Sequence, residues 1–142
     1  MGARLFIVFC FYVYALVAPA GAQTLSDADK SAFQSIITQQ IEAFRVGDNS
    51  KAYSFASPRV QSKFRNAAIF GQMARKGYAP VTAPERYQFG RVSDELGGPT
   101  QHVDLTGPAG KSWVALYGFE RQSDNTWRIS GVVLIKVPGA DT

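Results

Sequence analysis

His102 and Asp104 stand two residues apart in Thr100 to Leu105, a stretch in which apolar and polar residues alternate. Side chains at i and i+2 of a strand share a face, so this spacing sets an imidazole beside a carboxylate, the pairing that general acid–base chemistry uses. Histidine titrates near neutrality, and His102 is the single histidine of the chain. Val103 and Leu105 take the opposite face. If those two fill the core, His102 and Asp104 point outward; if they pack the outside, the pair lines a cavity. The alternation favours an outward or structural pair.

Other chemistries fail on residue type or spacing. Lys111-Ser112 follows Gly107 and Gly110, but a phosphate-binding loop needs glycines five positions apart and a helix after them, and position 105 is Leu. One histidine excludes a histidine-based metal cluster, and isolated carboxylates such as Glu85, Asp104 and Glu120 make a poor transition-metal site. No Gly-x-Ser-x-Gly elbow occurs, so Ser-His-Asp catalysis has no context. No metal and no cofactor is implied.

Aromatic residues are more suggestive. Tyr53, Phe70, Tyr78, Trp113 and Tyr117 belong to a set large for a chain of 142 residues, and buried tyrosine and tryptophan usually need hydrogen-bond partners. Most should be core. A subset, with Arg91 or Arg75 at the mouth, would form an apolar pocket with a polar entrance, the usual form of a small-ligand site. Arg59, Lys63, Arg65, Arg75, Lys76, Arg86 and Arg91 also crowd one window in which Glu85 is the only acid. That window reads as a solvated helical face, or more sharply as a basic rim for an anionic ligand or an anionic membrane surface.

The elements that position these residues follow from periodicity. Ser26 and Asp29 have capping-box spacing, and Phe33, Ile36, Ile37, Ile41 and Phe44 then recur at three- and four-residue intervals, with Gln34, Gln39, Gln40 and Glu42 expected outside. Lys51 to Ala56 predicts a short second helix stopped by Pro58. Val60 to Arg65 and Ala67 to Gly77 predict further helical pieces, and Gly77-Tyr78-Ala79-Pro80 an exit turn. The period then changes to two. Arg86 to Val92, Thr100 to Leu105, Lys111 to Arg121 and Trp127 to Lys136 predict four strands joined by short Gly, Pro and Asn turns, an antiparallel meander. Trp113, Ala115, Tyr117 and Phe119 share one face of the third strand. In the fourth, Trp127, Ile129, Val133 and Ile135 are expected opposite Val132 and Leu134. Helices first and strands after give an α+β fold.

Ahead of this lies a segment with the marks of an export signal. Arg4 precedes the uncharged apolar run Leu5 to Val17, and Ala20-Gly21-Ala22 fits a small-x-small cleavage site, so residues 1–22 are expected to be removed and residues 23–142 to form one domain. The run is shorter than the roughly 20 residues that span a bilayer, so no membrane span is expected after cleavage. Cys10, the only cysteine, leaves with it. Fourteen basic residues then face eleven acidic ones, a net charge of +3, too weak to argue nucleic-acid binding.

Gln40, Ala43 and Phe44, the run Ala52 to Pro58, Phe70 and Met73, Gly77-Tyr78, Gln101-His102-Val103, Tyr117 and Trp127 to Val132 together resemble a family of small exported bacterial proteins known only as a domain of unknown function. The order of elements is similar to the wider nuclear transport factor 2-like (cystatin-like) superfamily. That resemblance implies helices packed on a curved four-stranded sheet, a cone-like roll, and it implies no activity, because function is carried by sites rather than folds. The first expectation is a periplasmic or secreted non-catalytic binding module, holding a small apolar or anionic ligand at Tyr53, Phe70, Tyr78, Arg91, Trp113 and Tyr117. The alternatives are a cavity isomerase, dehydratase or hydrolase using His102 and Asp104, and a homodimer joined sheet to sheet.

Overall fold

The structure is a computed structural model that describes residues 24–139. The expected signal, residues 1–22, lies outside the described residues. The fold is α+β. Five helices come first, α1 (Asp27–Arg45), α2 (Asn49–Ser54), α3 (Pro58–Gln61), α4 (Ala67–Gly77) and α5 (Ala79–Thr82), followed by strands β1 (Arg86–Ser93), β2 (Thr100–Thr106), β3 (Ser112–Arg121) and β4 (Trp127–Lys136). The strands pair antiparallel in chain order, an open, curled meander.

The capping box is formed: Ser26 Oγ accepts from the Asp29 N–H at 3.0 Å, and Asp29 returns a carboxylate oxygen to the Ser26 N–H at 2.9 Å. Asp29 also holds Arg121 at 2.8 Å and accepts from Trp127 Nε1 at 3.0 Å, so the first turn of α1 is tied to the β3–β4 hairpin. Phe33, Ile37 and Ile41 are fully buried, each contributing on the order of 1.5–3 kcal/mol to holding the helix on the sheet. Phe33 stacks on Phe119 with ring centroids 4.4 Å apart and meets Trp127 edge-on. A second cluster, around Ala43, Phe44, Ala52, Phe70 and Ala74, joins α1, α2 and α4 beside the main core.

Three expectations are corrected. Gln40 is buried, not solvated: it sits between the two clusters and its Nε2 donates to the Ala52 carbonyl at 3.0 Å, which satisfies a helix-end acceptor. The segment after Gly77 is the short helix α5 rather than a simple turn, because Pro80 fits an early helical position, where no N–H is needed. In β4 the inner face changes parity. Gly118 pairs with Gly131 but Phe119 pairs with Ile129, leaving Ser130 as an extra residue. That bulge puts Trp127 and Ile129 on the core side together with Val132 and Leu134, while Val133 and Ile135 stand 42% and 47% exposed on the convex face.

Candidate functional site

Between the helices and the core side of β4 lies a cleft of about 220 Å³. Phe44 from α1, Phe70, Met73 and Ala74 from α4, and Tyr78 and Val81 at α5 form one wall; Ala56 and residues Ile129 to Val132 form the other. The wall exists because α4 turns its apolar stripe toward α1 and α2, and the Ser130 bulge bends β4 at the same place. Gln40 and Lys63 are its polar components with Ser130 and Tyr78, and among the described residues no carboxylate or histidine lines it. Lys63 is solvent-exposed, so the cleft is apolar within and carries an ammonium at its rim.

The six expected ligand residues divide. Phe70 and Tyr78 line the cleft. Tyr53 stands behind Phe70 with ring centroids 5.3 Å apart, its hydroxyl donating to the Gln61 carbonyl at 2.8 Å. Trp113 lines a separate groove at the β2–β3 end of the sheet. Arg91 sits at a second bulge, in β1, and pairs with Glu95 at 2.5 Å, away from the cleft. Arg75, the other cation expected at the mouth, donates to Asn49 Oδ1 at 2.8 Å.

Tyr117 is fully buried in the main core, and its hydroxyl has no hydrogen-bond partner among the described residues. Burial, with Tyr87 nearby as the smaller cause, pushes its pKa well above the ordinary tyrosine range. Gln101, its direct neighbour across the β2–β3 pair, is also fully buried. Its Nε2 donates to the Gly90 and His102 carbonyls at 2.9 Å each, which closes the β1 bulge, and its Oε1 accepts from none of the described residues.

His102 and Asp104 lie on the convex face, because Val103 and Leu105 fill the core. His102 Nε2 meets Ser93 Oγ at 3.0 Å and Glu95 Oε1 at 3.4 Å. A hydrolytic triad places serine and carboxylate on opposite ring nitrogens; here both meet the same one, so the cluster is not a charge-oriented nucleophile. Asp104 is exposed opposite Gln88 and Val114. Lys111 and Ser112 follow a tight turn and enter β3, with no helix to complete a phosphate loop. Among the described residues no group of three metal-ligating side chains converges, and no helix is long and apolar enough to cross a membrane.

Residues 26–142 match a family described as a domain of unknown function, DUF4864. The chain belongs to the DUF4864 family. No curated protein and no solved structure matches it. Two blocks of this DUF4864 chain, Ala52 to Pro58 and Trp127 to Val132, meet physically. Ile129 donates its N–H to Phe55 O and accepts from the Ser57 N–H, both at 2.8 Å, and Arg128 donates to the Ser54 carbonyl. Together they frame the sheet side of the cleft. Sequence reasoning missed Met73 and Ala74 as lining residues. Their signal was the apolar stripe of α4, which reads as ordinary core until the two clusters are seen to be separate.

Proposed function

We propose that this protein is an exported, non-catalytic binding module of the nuclear transport factor 2-like kind, which holds a small apolar or anionic ligand in the cleft between α4 and β4. The observation that carries this reading is the chemistry of the lining: apolar walls, one ammonium at the rim and, among the described residues, no acid or base inside. An engineered cavity of about 150 Å³ accommodates benzene, so about 220 Å³ suits a ring or short chain rather than a drug-sized molecule. A broader groove of about 800 Å³ lies by the N-terminus of α1, but acids Asp94 and Glu120 line it and its cation Arg121 is already held by Asp29. The acid–base alternative draws no support from an outward His102 and Asp104.

The test is native mass spectrometry of residues 23–142 recovered undenatured from the exported compartment. A constant extra mass on each monomer, lost when Ala74→Phe fills the cleft, supports the reading. A bare monomer in both proteins refutes it. A second reading, a homodimer, is favoured by exposed Val133 and Ile135 on the convex face. It predicts a bare dimer mass whose proportion rises with concentration.

A further inference from the structure

Residues 49–84 contain six basic side chains, Lys51, Arg59, Lys63, Arg65, Arg75 and Lys76, and no acid; all eleven acids lie outside this segment. All six are exposed. None forms an ion pair among the described residues, whose three pairs lie on β1, the turn after it, β2, α1 and β3. The structure therefore separates the seven-residue basic window of the sequence: Arg86 and Arg91 go to β1, and the rest gather on the helical side. Ile69 is 43% exposed on α4. It recurs with Gln72 and Lys76 at three- and four-residue spacing on the helix side opposite Phe70 and Ala74, and Arg65 stands just before the helix N-cap, Asn66.

We infer that this face of α4 docks on the surface of an anionic phospholipid bilayer. The charge is of one sign and unneutralised, so it is attracted to anionic lipid, each Lys or Arg strengthening adsorption about fivefold at low salt. The exposed isoleucine among the cations gives the face an apolar point that can enter the headgroup boundary, as interfacial helices do. A soluble polyanion would use the charge and leave Ile69 in water. This docking does not depend on the cleft holding a ligand.

Residues 23–142, which contain the whole described fold and lack the apolar leader, are sedimented with vesicles of phosphatidylglycerol mixed into phosphatidylcholine and with vesicles of phosphatidylcholine alone. The protein should pellet with the first and not the second, and it should be released as salt shortens the Debye length from about 8 to about 3 Å. K63E/R65E/K76E reverses three exposed charges and should weaken binding more than about a hundredfold by the per-charge factor above. R91E, on the other side of the fold, should bind as the parent does. Ile69→Ser should weaken binding while leaving its salt dependence unchanged. The inference is overturned if the parent pellets with neither vesicle or equally with both, if the triple variant binds like the parent, or if inorganic polyphosphate binds while phosphatidylglycerol vesicles do not.

Discussion

Tyr117→Phe removes one oxygen from the centre of the core and leaves the ring in place. The ring is fully buried, and the hydroxyl it carries has no partner among the described residues. A buried polar group left unpaired costs about 1–3 kcal/mol, and phenylalanine keeps the ring's apolar contacts, so only the small void left by one oxygen offsets the gain. The variant should therefore be more stable by about 1–2 kcal/mol, against the usual rule that core substitutions destabilise. In urea, with a slope of about 2 kcal/mol per molar, the midpoint should rise by roughly 0.5–1 M. Trp113 and Trp127 report the transition by fluorescence, and residues 23–142 contain no cysteine to confuse it. The pKa shift gives a second readout. The folded hydroxyl titrates above its unfolded value of 10.0, so its contribution is intact below that pH and is lost as pH rises beyond it. The parent should weaken more steeply than the variant in alkali. A midpoint that falls on substitution, with an unchanged slope, would refute the reasoning and mean that the hydroxyl has a partner in solution, a buried water or a bound molecule. Gln101→Leu is the contrast. It also removes an orphan oxygen, but it breaks the donor bonds at the β1 bulge and should cost about 2 kcal/mol at roughly 1 kcal/mol per bond.

Asp29 is held down at about 2, first by the Ser26 N–H and then by Trp127, the Ser26 hydroxyl and Arg121. Its contribution is present above the unfolded carboxylate value of 3.8 and disappears as pH falls toward 2; Asp29→Asn should flatten that acid limb in a pH series of thermal melts. Gly118→Ala would place a methyl 2.8 Å from Ser130 Oγ and 3.3 Å from Leu96, costing about 1–3 kcal/mol in urea unfolding, part of which Ser130→Ala should restore. Gly71→Ala should gain up to about 1 kcal/mol of helix propensity yet unfold earlier, because the methyl would collide with the Asn49 side chain that Arg75 holds. Combining it with Asn49→Ala should turn the loss into a gain.

Much of the scaffold was legible in local chemistry. Ser26 and Asp29 announce the start of α1, and the two-residue period gives β4 its limits, Trp127 and Lys136. The inner face of β4 was not legible from alternation, since one extra residue at Ser130 inverts the parity of everything before it. A hint was present: glycines inside predicted strands, at 118 and 131, mark bulges and close approach. Gln40 misled because its side chain finds a carbonyl at the end of α2, a contact set by tertiary packing alone. Of the site, the types of residue were foreseen and their grouping was not. Phe70 and Tyr78 share the cleft, whereas Arg91, Trp113 and Tyr117 were assigned to it by composition and stand in three other places.

The joint between Phe55-Ala56-Ser57 and Ile129 has a consequence for the order in which the chain can assemble. The backbone bonds that fix the end of α2 and the start of α3 come from a residue more than seventy positions later, and the first turn of α1 is fastened to Arg121 and Trp127. A nascent chain emerging from its N-terminus has neither the Ile129 bonds nor the Trp127 bond until β4 has been made. Contacts of such sequence separation form late, since loop closure must precede them. The helical half should thus remain loose while the chain is incomplete and set only when the last strand arrives. A pulse of hydrogen exchange on chains stopped before Trp127 would find α1 through α3 unprotected.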